Sequence, residues 1–79
     1  MKVVIATVDQ LYFDGEATSV TAPGSDGELT VFGHHMPFIT TLKQGVVTVR
    51  SESVEGGKQM FKVESGVLEV SNNSATIIL

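Results

Sequence analysis

Hydrophobic residues recur at every second position along this chain, and turn formers interrupt them every few residues. Residues 28–32 put Leu29 and Val31 on one face and Glu28, Thr30 and Phe32 on the other. In residues 58–64, Phe61 and Val63 oppose Met60, Lys62 and Glu64. A period of two belongs to half-buried strands; a helix needs a stripe every three to four residues, and none is sustained here. Turn signals fall at Asp14-Gly15, Pro23 to Gly27, Gly33, Gln44-Gly45, Glu55-Gly56-Gly57, Ser65-Gly66 and Ser71 to Ser74. Their spacing is close to the roughly 8–12 residues typical of sandwiches and barrels.

The alternation predicts strands over residues 2–8, 11–13, 16–22, 28–32, 38–43, 46–52, 58–64, 67–71 and 75–79. The first two flank a bend at Val8-Asp9-Gln10, and the last two form a hairpin over Asn72-Asn73. Strands this short do not build one wide sheet with a covered face. The expected fold is all-β: a small antiparallel two-layer β-sandwich of about ten short strands. The expected core is Val3, Ile5, Val20, Leu29, Val31, Ile39, Leu42, Val47, Val49, Phe61, Val63, Leu68, Val70 and either Ile77 or Ile78.

With 79 residues the chain is expected to form one domain, 1–79, with a single modest core. It has no cysteine, which excludes disulfides, a thiol nucleophile and thiolate metal sites. Apolar runs such as Val3-Val4-Ile5-Ala6 fall far short of the ~20 residues that cross a bilayer, and Lys2 with so short a run makes no signal peptide. A soluble protein is expected. The net charge is −4, and the five basic residues Lys2, Lys43, Arg50, Lys58 and Lys62 are dispersed. Nucleic acid and anionic lipid both require a basic patch, so neither is an expected partner.

No catalytic constellation is visible. No serine sits in a Gly-x-Ser-x-Gly elbow, which would need a strand-to-helix turn. Asp26 and Glu28 are two apart and can share a strand face, but a solvated edge explains them more simply than acid/base work. His34 and His35 are adjacent, so on a strand they point to opposite faces, and no spaced ligand set supplies the third donor a metal would need. Gly56-Gly57-Lys58 precedes a strand, whereas a phosphate cradle opens a helix. Neither a catalytic residue nor a metal or cofactor is expected. Phe32, Met36 and Phe38 in loop positions are the apolar candidates for a binding patch, with core packing as the alternative for each.

The series Gly24-Ser25-Asp26-Gly27-Glu28-Leu29, His35-x-Pro37 and Thr40-x-Leu42-Lys43-x-Gly45 resembles the epsilon subunit of F-type ATP synthases. Tyr12-Phe13-Asp14-Gly15-Glu16-Ala17, Val46 to Arg50, Ser65-Gly66-Val67-Leu68-Glu69-Val70 and Ala75 to Leu79 extend the resemblance over nearly the whole chain. Three positions depart from the family pattern: His34 and Thr30 replace common glycines, and Gln44 replaces a common proline. The resemblance implies a rotor subunit at the foot of the central stalk, binding the gamma subunit and the c ring and doing no bond-making itself. It implies a peripheral location on the cytoplasmic face of the bacterial inner membrane, or on the equivalent organelle membrane. Glu28 falls where the family's ring-facing loop lies, and His35 matches a family histidine. Asp26, Glu28, Phe32, His34, His35 and Met36 are therefore expected at or near these contacts. The family's helical pair, which inhibits ATP hydrolysis, follows the last strand; this sequence stops at Leu79, so coupling without inhibition is expected. The competing reading is a stand-alone protein- or carbohydrate-binding sandwich. Such modules usually display Trp or Tyr platforms, and this chain has no Trp and one Tyr.

Overall fold

Nine strands account for most of the chain in the computed structural model, which describes residues 1–52 and 55–79. They are β1 (Lys2–Ala6), β2 (Leu11–Glu16), β3 (Ser19–Gly24), β4 (Gly27–Phe32), β5 (Phe38–Leu42), β6 (Gly45–Arg50), β7 (Lys58–Val63), β8 (Gly66–Ser71) and β9 (Ser74–Ile78). A short 3-10 turn, Glu55–Gly57, leads into β7. Most predicted strands are recovered within two residues. The expected strand at 16–22 is displaced, because Asp14-Gly15 is not a turn. Both residues lie inside β2, where Gly15 pairs with Val3 and Glu16 with Lys2. The chain leaves that sheet only at Ala17-Thr18 and starts β3 at Ser19. Likewise the turn expected over Pro23 to Gly27 contracts to Ser25-Asp26, since Pro23 pairs with Glu28 and Gly24 with Gly27.

The strands form two layers. One runs β2-β1-β9-β8-β5, the other β4-β3-β6-β7, and a single bridge, Gly24 to Leu42, joins them between β3 and β5. The sheet thus curls on itself and covers its own apolar face. Phe13 of β2 and Phe61 of β7 meet edge to face across the layers at 6.1 Å. All pairings are antiparallel except one: β9 slots between β8 and β1 and runs parallel to β1, from Lys2–Ser74 to Ala6–Ile78. At the β8–β9 turn, Asn72 and Asn73 have φ of 51° and 58°, the left-handed pair that a two-residue hairpin requires.

The core draws on both layers: Val3, Ile5, Leu68, Val70, Ala75 and Ile77 from the first, Val20, Ala22, Val31, Val47, Val49 and Val63 from the second, with Ala17 and Leu42 at the crossings. Each of the larger side chains contributes about 1.5–3 kcal/mol by leaving water. Leu29 and Phe61 are half-buried and pack against this core. Ile77 is the inward residue of its pair and Ile78 the outward one. Ile39 is a correction: it is 66% exposed. Positions 39 and 42 differ by an odd number, so they face opposite sides of β5; Leu42 points inward and Ile39 must point out. Ala17, Ala22 and Ala75 were not anticipated, since small side chains contribute little to an alternation read by hydrophobic bulk. Ser51, which is buried, donates its Oγ–H to the Glu16 carbonyl at 2.8 Å. Among the described residues no buried side-chain polar atom lacks a partner.

Candidate contact surface

β4 carries or flanks all six candidate residues, and it separates them into two groups. Asp26 and Glu28 stand at its start, and Phe32, His34, His35 and Met36 at and beyond its end. The six residue-to-residue steps from Asp26 to Phe32 span about 20 Å of extended chain. All six are exposed.

The first group sits on a hairpin made possible by Gly27, whose φ of +136° disfavours any residue with a Cβ. The turn is fastened to the end of β5. Ser25 N–H donates to the Thr41 carbonyl at 3.0 Å, and the two side-chain hydroxyls lie 2.6 Å apart. Lys43 N–H donates to the Pro23 carbonyl at 2.9 Å. Two ion pairs occur among the described residues, the Met1 amine with Glu16 and Lys2 with Asp14. The Asp26 and Glu28 carboxylates are in neither, so they face water on a fastened turn.

The second group is apolar and aromatic. Phe32 is 60% exposed and Met36 78%. His34 has φ of 63° and donates its N–H to the Asn73 Oδ1 at 3.0 Å. The His35 ring lies edge-on to Phe38 at 5.1 Å, and its Nδ1 is 2.8 Å from the Met36 carbonyl. A carbonyl can only accept, so that nitrogen carries the proton. Neither ring meets a carboxylate or a side-chain hydroxyl among the described residues, and no cluster of three or more His, Cys, Asp or Glu there could hold a metal. Phe38, expected with the exposed loop apolars, begins β5 half-buried against the core. Ile39 takes its place on the outside and lines a shallow groove with Pro37, Phe38, Glu69, Val70 and Ser71. The parity of β5 relative to Leu42 is the sequence signal that would have found it.

A second apolar zone lies on the outer face of the first layer. Leu11, Ala6, Ile78 and Val67 succeed one another across β2, β1, β9 and β8, and Leu11 and Ile78 are about half exposed. Contiguous exposed apolar rows of this kind mark surfaces that neighbours cover.

The chain is similar to known proteins in both sequence and fold. The family model described as the β-sandwich domain of the ATP synthase delta/epsilon chain matches residues 1–79. Sequence relatives include an ATP synthase epsilon chain of Chlorobium limicola, 39% identical over 98% of this chain and 85% of that protein. Another is ATP synthase epsilon chain 2 of Burkholderia orbicola, 38% identical over 99% of this chain and 51% of the relative. The chain thus spans about half the length of several relatives it matches. Among solved structures, a mitochondrial ATP synthase central stalk/c-ring from Tetrahymena thermophila aligns with TM-score 0.83 at 20% identity, over 98% of this chain and 60% of the other. A chain of the Euglena gracilis mitochondrial ATP synthase aligns with TM-score 0.84 at 22% identity, over 96% and 48%. At such identities the structural likeness shows the fold.

Proposed function

Since the chain belongs to the β-sandwich family of ATP synthase delta and epsilon chains, we propose that it acts as a rotor component of an F-type ATP synthase, held between the gamma subunit and the c ring. The match of the family model over the whole of residues 1–79 carries this reading. In it the domain couples ion translocation to ATP synthesis mechanically and is itself non-catalytic. It rides peripherally on the coupling membrane, on the cytoplasmic face in a bacterium or the equivalent organelle face. No helix among the described residues is long and apolar enough to cross a membrane.

The geometry supports a wedge with two working ends. Torque transfer needs a body that does not deform, and a close-packed two-layer core is such a body. The acidic end, Asp26 and Glu28, suits the polar loops of a ring, while Phe32, His34, His35 and Met36 suit a protein neighbour with an apolar patch, the gamma subunit. The decisive experiment is a pull-down of this chain with purified gamma subunit, followed by assembly with gamma and c ring together. Stoichiometric capture is expected. A chain that binds neither, under conditions where a known epsilon subunit binds both, ends the proposal.

A further inference from the structure

We propose that Asn73 is a positioning residue that holds the Gly33–Pro37 loop in the shape in which it meets its protein partner; this rests on the reading of that loop as a contact surface. His34 and Asn73 are 39 residues apart in sequence, yet the His34 N–H donates to the Asn73 Oδ1 at 3.0 Å. The amide oxygen reaches the loop because position 33 is a glycine: a Cβ there would stand 2.9 Å from that same oxygen. Asn73 is itself held firmly. It is the second left-handed residue of the β8–β9 hairpin, φ 58°, and its own carbonyl accepts the Lys2 N–H at 3.1 Å. A rigid turn of the first layer therefore supports a loop that departs from β4 in the second layer. His34 is a left-handed, non-glycine residue, a conformation that persists only where surroundings impose it. Among the described residues Asn73 Oδ1 is the acceptor for the His34 backbone N–H. Holding the loop before binding spares the complex the cost of ordering it.

Two substitutions separate positioning from mere turn formation. Asn73→Gly keeps the left-handed turn and removes the acceptor; Asn73→Asp keeps both, since a carboxylate oxygen can accept the same bond. In the free chain, hydrogen exchange at the His34 amide is expected to accelerate in Asn73→Gly and to stay near wild type in Asn73→Asp. Affinity for purified gamma subunit is expected to fall about fivefold in Asn73→Gly, the equivalent of one net hydrogen bond, with Asn73→Asp restoring it. Unchanged His34 exchange in Asn73→Gly overturns the proposal. So does faster exchange with unchanged affinity, or a loss that Asn73→Asp fails to restore. A wild-type chain that did not bind gamma would sink the rotor reading and with it the partner-facing role of Asn73, while the exchange data would still report whether the latch exists.

Discussion

His34 occupies a backbone region that costs a residue with a Cβ about 1–2 kcal/mol, and glycine avoids that cost. Glycine also loses more freedom on folding, by roughly 0.5–1 kcal/mol. His34→Gly is therefore expected to leave urea stability unchanged or raise it by up to ~1 kcal/mol; a clear loss would show that the imidazole itself supports the loop. Gly66 illustrates the opposite constraint. A Cβ there would lie 2.7 Å from the Ile78 carbonyl oxygen, a backbone atom that cannot swing away. Gly66→Ala is expected to destabilise by about 1–3 kcal/mol in denaturant titration, through forced separation of β8 and β9. Gly66 was legible only as a turn signal at Ser65-Gly66. The hairpin expected over Asn72-Asn73 brings β9 alongside β8, but the close approach of the Ile78 carbonyl to Gly66 follows from the exact pairing at that end of the hairpin.

Single strands were the most legible level, and their faces were legible wherever two anchor residues had the same parity. β4, β6 and β7 show their inward sides directly as Leu29/Val31, Val47/Val49 and Phe61/Val63. β9 ends in Ile77-Ile78, where both neighbours are equally apolar and alternation cannot choose. The pairing of Ile77 with Leu68 and Ile5 decides it by burying Ile77 completely. Ile77→Ala is expected to cost about 2–5 kcal/mol, the range for a core truncation that leaves a cavity. Ile78→Ala, at a site 49% exposed on the outer face, is expected to cost less than ~1 kcal/mol. Comparable losses at the two positions would mean that the register of β9 is wrong. The boundary errors at β2 and β3 have one cause. Asp-Gly is a strong turn signal in isolation, but Gly15 packs beside the Phe13 ring within a paired strand, and tertiary pairing overrides the local preference.

The whole molecule measures 28 × 26 × 22 Å, so the two ends of β4 are separated by most of its width. Contacts made at one end can be weakened without disturbing the other, and the core lies between them. Glu28→Lys is expected to impair assembly with the c ring while leaving the unfolding midpoint nearly unchanged, because Glu28 is exposed and in no ion pair among the described residues. Normal assembly of that variant would remove Glu28 from the contact. Phe32→Ala with Met36→Ala is expected to weaken gamma binding by about tenfold or more, as exposed apolar anchors do, again without loss of fold. Circular dichroism alongside the binding assay separates the two effects. If the acidic end meets basic groups, raising salt from low to physiological strength should slow association at that end more than at the apolar one.

By itself the sequence determined the class of structure: all-β, two-layered, with its motif series resembling the epsilon subunit. Period-two patterning and closely spaced turns are local properties, readable without knowing what pairs with what. It also exposed the candidate residues as a set, through the Gly24-to-Gly45 motifs. Only the tertiary structure decided which of the two opposed positions, Ile39 or Leu42, turns to the core, that the Ser25-Asp26 turn is fastened to the end of β5, and that the Asn73 side chain reaches across 39 residues to accept the His34 N–H. Those facts depend on which strands become neighbours and in what register. Register is fixed by burying side chains from distant segments against one another, a long-range property that no stretch of the chain carries alone.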